Sequence, residues 1–201
     1  MPLPPTQALR ISPVYFHPVM TSSSSRALFL DRDGIINEDN GYPFRPSDIR
    51  FMPGIFPFCR RVRSLGYLLV VVTNQAGVAK GFFSEHDVEE LHRWMGERFA
   101  DEGCAIERFY YCPFHEAGVE PRYRTNLHMR KPGPGMILAA AADLTIDVTR
   151  SIMLGDKPSD RIALDGLRSI IMKSRYTPSG YDVASFDEAL AFIADTGDRD
   201  G

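Results

Sequence analysis

Short apolar runs and amphipathic stretches alternate along the chain. Ala27 to Leu30 is an unbroken apolar run between polar neighbours, and Leu68 to Val72 is another. Runs of this length, lacking an in–out alternation, describe strands buried on both faces, as at the centre of a parallel sheet. Ile106 to Cys112, Ser151 to Leu154 and Ser169 to Met172 are three further strand candidates. Helical patterns lie between them. Ile55, Cys59 and Val62 share a face behind Pro53 and Gly54; Val88, Leu91, Met95 and Phe99 share another behind Ser84, whose spacing to Asp87 suits a capping box. Further helices are expected from Pro134 to Leu144, from Pro158 to Leu167 and from Phe186 to Ala194. Strands alternating with helices predict an α/β fold with a parallel sheet.

A chain of 201 residues, 44% hydrophobic and 24% charged, fits one globular domain, expected here over residues 26–196. Residues 1–25, rich in Pro and Ser, read as a flexible leader without the basic start and apolar core of a signal peptide, and residues 197–201 as a frayed tail. The net charge of −3 gives no reason to expect nucleic acid, and no apolar run is long enough to span a membrane. Three cysteines, Cys59, Cys104 and Cys112, fit a reducing compartment better than a disulfide framework, so a cytoplasmic location is expected.

The candidate chemistry sits where the strands end. The first run stops on Asp31, Arg32, Asp33 and Gly34, the second on Thr73, Asn74 and Gln75, and the fourth on Gly155, Asp156 and Lys157. Carboxyl ends of parallel strands share one edge, where open α/β sheets bind ligands. Lys131, just ahead of a helix, can reach the same edge. Two carboxylates at a strand end can be simple turn formers, Thr73 a helix cap, Lys131 a solvated charge and Asp156 an N-cap. Their order along the chain is more specific than any one of them. A carboxylate at Asp31 can attack a phosphoryl group and give an aspartyl-phosphate, with Asp33 as acid and base. Thr73 and Asn74 can donate to phosphoryl oxygens, Lys131 can neutralise charge, and Asp31, Asp33 and Asp156 offer hard oxygen ligands for Mg²⁺.

Asp31/Asp33, Thr73, Lys131 and Asp156 resemble the four motifs of the haloacid dehalogenase (HAD) superfamily of phosphohydrolases, over nearly all of residues 26–194. The resemblance implies a three-layer, Rossmann-like α/β fold, obligatory Mg²⁺ and an aspartyl-phosphate intermediate. Asp33 favours a phosphatase over an ion pump, which carries Thr at that place. Intervals between the motifs leave no room for a large cap domain, so specificity falls to loops near Asn40, Lys80 and residues 113–130.

Within the superfamily the chain is most similar to the heptose 1,7-bisphosphate 7-phosphatases. It shares with them the run from Asp31 to Asn37, Gly41-Tyr42, Thr73 to Gly77 with Gly81, Tyr111 to Pro113, Arg130 to Pro132 and Gly155 to Lys157. That resemblance implies substrate contacts from Asp39, Asn40, Gly41, Tyr42, Thr73, Asn74, Gln75, Ala76, Arg130, Lys131 and Lys157, and a role in cell-surface polysaccharide synthesis. The related histidinol-phosphate phosphatases are the alternative, and a phosphosugar-binding protein without catalysis is a third reading. The expected partner is a small phosphorylated sugar, and the expected state a monomer. One departure stands out. Such enzymes usually carry Cys-x-His and Cys-x-Cys as a zinc loop, whereas this chain has Phe114, Leu127 and Met129 at three of the four positions. Cys112, His115 and His128 fall short of the four ligands of a structural site, so zinc is not expected. His115 and His128 then read as exposed loop residues. Cys59 and Cys104 read as small core residues, Trp94 and Met95 as packing, and His86 and His92 as solvated side chains of a charged helix.

Overall fold

The computed structural model describes residues 24–197, so nearly all of the expected leader, and residues 198–201 of the expected tail, lie outside the described residues. Ser25 already pairs with the domain: it bridges Ile146, and its N–H donates to the Thr145 carbonyl at 3.0 Å. Five strands, β1 (Arg26–Leu30), β2 (Tyr67–Asn74), β3 (Arg108–Cys112), β4 (Ile152–Gly155) and β5 (Arg168–Ile171), form one parallel sheet in the order β3-β2-β1-β4-β5. The unbroken apolar runs are explained by position. β1 is central, and its side chains alternate between two buried faces. Leu28 and Leu30 point into a core with Leu69 and Val71, while Ala27 and Phe29 point into a second with Val70 and Val72.

Helices α1 (Ile55–Ser64), α3 (Glu85–Asp101) and α5 (Phe186–Gly197) cover the first face through Phe58, Val62, Leu91, Phe99 and Ile193. Helix α4 (Gly135–Leu144) covers the second with Met136, Ile137 and Ala140, and a short helix α2 (Ala76–Ala79) follows β2. The result is the three-layer α/β arrangement expected. The Ser84–Asp87 capping box forms in both directions at the start of α3. Residues 31–54 and 113–134 connect the elements at the carboxyl edge, and among the described residues there is no cap domain. Among the described residues no helix is long and apolar enough to cross a membrane.

One expected element is absent. Pro158 opens only the 3-10 turn Pro158–Asp160, not a helix reaching Leu167. The Asp160 carboxylate turns back to accept the backbone N–H groups of Asp156 and Lys157 at 3.1 and 3.0 Å, which closes the turn on itself. Irregular chain carries Ile162 onto the second core, and Gly166 at φ +83° completes the return to β5.

Candidate active site

The register sets β1, β2 and β4 level, with Leu30 opposite both Val71 and Leu154, so their next residues emerge side by side. Asp31, Asp156 and Asp160 thereby bring carboxylate oxygens within 4.8 Å of one another, all three buried. Lys131 completes the cluster: its Nζ lies 2.8 Å from Asp31 Oδ1 and 2.6 Å from Asp160 Oδ1. Three buried acids could not all stay ionised without such a cation. Burial pushes the Asp31 carboxyl up, but the Lys131 and Lys157 ammoniums outweigh it and hold the group below its ordinary range. Asp156 goes the other way. Burial, helped by Asp31, Asp160 and Asp39, raises it to about 6 against the opposing pull of Lys157.

Lys131 is aimed by Asn74. The Asn74 amide donates to the Lys131 carbonyl at 3.1 Å and accepts the Lys131 N–H at 3.0 Å, a two-pronged clip between the end of β2 and a distant loop. The donor expected to face a phosphoryl group is thus engaged with backbone. Gln75 also works inward, donating to Asp33 Oδ2 at 3.1 Å and to Thr73 Oγ1 at 3.0 Å. Gly34 is required at its place: at φ +106°, a Cβ there would lie 2.3 Å from Asp156 Oδ2.

Asp33 departs from the expected metal set. Its carboxylate does not join the cluster; it is gripped by the Arg32 guanidinium, with both bonds at 2.9 Å, and by Asn37 Nδ2 at 3.0 Å. Its backbone carbonyl faces the cluster instead, where Lys157 Nζ donates to it at 2.8 Å. That ammonium also stands 3.0 Å from Asp39 Oδ2, 3.5 Å from Asp156 Oδ1 and 3.7 Å from Asp31 Oδ2. A cation at the focus of four oxygens marks a place built for positive charge, and Asp156 Oδ1 is buried without a hydrogen bond. Hard, mostly anionic oxygens are the donors Mg²⁺ prefers. The residues therefore fit Mg²⁺, which Asp31 and Asp156 could meet with side chains and Asp33 with its carbonyl.

Above the cluster opens a cleft of about 370 Å³, lined by Asp31, Asp33, Asp39, Gly41, Tyr42, Thr73, Asn74, Gln75, Ala76, Arg130, Lys131 and Lys157 among the expected residues. Asn40 and Asp156 are the exceptions: Asn40 is exposed, with its amide 3.5 Å from Glu38, and Asp156 is buried in the acid cluster. The cleft also takes in Lys80, His115, Ser159 and Tyr176. Lys80 Nζ donates to Tyr42 Oη at 2.8 Å across the mouth, and a buried Arg130 Nη1 has no hydrogen-bond partner. Tyr176 donates to Asp39 Oδ2 at 2.9 Å. Its signal in the sequence was its place just after β5, on the same edge as the other strand ends.

Two histidine expectations are corrected. His92 is 1% exposed rather than solvated, because it faces Arg32 through the interior side of α3. His115 is half-buried against the cleft, its Nδ1 accepting the Ala117 N–H, so of the two loop histidines His128 alone is exposed, while His86 is exposed as expected. Cys112 is a buried strand residue with Sγ 3.8 Å from the Phe114 carbonyl, and burial raises its thiol to about 11. The loop of residues 113–130 is tied by Tyr123, which is buried and donates to Glu85 Oε1 at 2.9 Å.

No protein-family model matches the chain. It is 48% identical over 136 residues to a D-glycero-alpha-D-manno-heptose-1,7-bisphosphate 7-phosphatase of Burkholderia mallei, covering 68% of this chain and 72% of the relative. It is 41% identical to a D-glycero-beta-D-manno-heptose-1,7-bisphosphate 7-phosphatase of Vibrio cholerae, over 83% of this chain and 89% of that one. The chain belongs to the heptose-1,7-bisphosphate 7-phosphatase family. Among solved structures, a D,D-heptose 1,7-bisphosphate phosphatase from B. bronchiseptica, complexed with magnesium and phosphate, shares the fold with a TM-score of 0.70 at 24% identity, covering 85% of this chain and 98% of that one. The fold is that of the HAD-like phosphatases. In this phosphatase the cleft reaches Asp31 of the buried acid cluster, and cationic and aromatic groups from four segments, at Tyr42, Lys80, Arg130 and Tyr176, line it.

Proposed function

We propose that the protein hydrolyses the C7 phosphate of D-glycero-D-manno-heptose 1,7-bisphosphate with Mg²⁺, giving heptose 1-phosphate and inorganic phosphate. The observation that carries the chemistry is Lys131 Nζ at 2.8 Å from a buried Asp31 at the cleft floor. It keeps the carboxylate ionised and oriented, which is what a nucleophile needs. Asp31 attacks phosphorus, forming a phosphorus–oxygen bond to the carboxylate as the bond to the sugar oxygen breaks. Asp33 gives that oxygen its proton, then takes a proton from the water that attacks the aspartyl-phosphate. The second attack releases phosphate and restores Asp31. Asp31, Asp156 and the Asp33 carbonyl would hold Mg²⁺, which when bound would supply charge neutralisation for the phosphoryl oxygens. Lys131 neutralises charge beside Asp31, and Thr73 borders the same cleft.

The substrate reading is supported by family membership and by the cationic wall of the cleft. Lys80 and the unpartnered Arg130 suit a substrate with a second anionic group, since Arg can bind a phosphate through paired hydrogen bonds. Phosphate release should be measured on the α- and β-heptose bisphosphates, on histidinol phosphate and on simple sugar monophosphates. A clear preference for one heptose anomer is expected. Preference for histidinol phosphate would overturn the substrate assignment, and binding without turnover of any ester would overturn the reaction. Asp31→Asn is expected to abolish turnover with the fold intact. EDTA should stop activity and Mg²⁺ restore it.

A further inference from the structure

We propose that His92 is a positioning residue for phosphoryl transfer: as a hydrogen-bond acceptor it orients Arg32, and through Arg32 the carboxylate of Asp33. The inference rests on the reading of Asp33 as acid and base. Arg32 is fully buried, and a buried guanidinium needs partners for its N–H groups. Nε and Nη2 form a fork onto Asp33, and Nη2 also donates to the Pro43 carbonyl at 3.0 Å. The remaining nitrogen, Nη1, lies 3.2 Å from His92 Nε2.

A guanidinium has no lone pair to offer, so in this contact the imidazole must accept. Its proton then sits on Nδ1, which is buried without a partner. A ring present only to fill the core would do better as an apolar side chain, which leaves no N–H unmatched. The ring is also held in direction from outside the helix. It stacks on Phe109 at 4.8 Å between centroids and meets Tyr111 edge-on at 5.9 Å. Burial and the neighbouring Arg32 charge both push the imidazole well below its ordinary range, which keeps it neutral and able to accept. Three anchors, Asp33, Pro43 and His92, thus fix the guanidinium plane, and that plane fixes the carboxylate facing the cleft. The helical pattern of α3 conceals this, because His92 falls beside Leu91 among charged residues.

The test compares a sugar phosphate, whose alkoxide leaving group needs a proton, with p-nitrophenyl phosphate, whose phenolate does not. His92→Leu should lower kcat/KM on the sugar phosphate about tenfold and reduce kcat/KM on the aryl ester far less, since kcat/KM reports the transfer to Asp31 and not the later hydrolysis common to both esters, and general acid help contributes roughly 10²- to 10⁴-fold where it is needed. His92→Gln, whose amide oxygen can accept from Arg32, should recover most of the loss. If the leucine variant does not fold, His92→Phe, which keeps the stack on Phe109, carries the same expectation. Equal losses on both esters, or no loss on either, would overturn the proposal. Asp33→Asn, measured in parallel, separates the two layers. If it shows no leaving-group dependence, the acid/base reading fails and takes this inference with it; if it does and the His92 variants do not, only this inference fails.

Discussion

Replacing Asn74 by Ala tests how the site is assembled. The amide of Asn74 makes both hydrogen bonds to the backbone of Lys131, at 3.1 and 3.0 Å, across 57 residues of sequence. Lys131 is 3% exposed, so its N–H and C=O would be left in a buried setting with nothing in place of the amide. At about 1–3 kcal/mol for each of the two buried groups left unmatched, the stability loss should be about 2–6 kcal/mol. For a domain of this size, where 1 kcal/mol shifts the midpoint by roughly 2–4 °C, that is a fall of about 4–24 °C. The catalytic effect should be larger than the thermal one suggests. Lys131 reaches Asp31 and Asp160 at 2.8 and 2.6 Å, and a displacement of about 1 Å can cost about 10²-fold in rate. Asn74→Asp keeps the acceptor for the N–H but sets an oxygen against the carbonyl, so it should rescue little. Urea unfolding followed by fluorescence, together with steady-state phosphate release, measures both quantities. An Ala variant with an unchanged urea midpoint and unchanged kcat would refute the reasoning, since the clip would then hold nothing.

Other outcomes follow from the same geometry. Gly34→Ala should destabilise the protein by about 2–5 kcal/mol, combining a left-handed backbone with overpacking against Asp156, and should weaken Mg²⁺ binding by calorimetry; a stable variant with normal metal affinity would contradict the contact at 2.3 Å. Asp156, raised to about 6 in the folded protein, binds its proton more tightly there than when unfolded, so metal-free stability from this group is present at acid pH and lost as pH rises through about 6. Mg²⁺ must displace that proton, so its affinity should climb with pH and level off above about 6, measured by calorimetric titrations across that range. Tyr123→Phe removes the bond to Glu85, and should cost about 0.5–1.5 kcal/mol and raise KM more than it lowers kcat, while metal analysis of the wild-type protein should find well under one zinc per chain.

The strands, their parallel pairing and the rim on which the chemistry sits were legible in the residues alone. Apolar runs such as Ala27 to Leu30 are compatible with few other environments, and a parallel sheet sends every carboxyl end to one edge. Asp31, Thr73, Lys131 and Asp156 could therefore be named together before any distance was known. What the sequence could not decide is which partner each polar group would take. Asn74 and Gln75 look like ligand donors in one dimension, yet both turn inward, one to the Lys131 backbone and one to Asp33 and Thr73. Asp33 offers a carbonyl to the acid cluster and a carboxylate to Arg32, a division that depends on a turn a few residues long. Asp160 stops a helix that Pro158 appeared to start, and His92 lies buried in a helix whose pattern placed it in water. Periodicity reports which side of an element is apolar, because burial of surface is additive along it. Hydrogen bonds between groups distant in sequence depend on closing loops and on matching donors within a few tenths of an ångström, and only the folded chain fixes those.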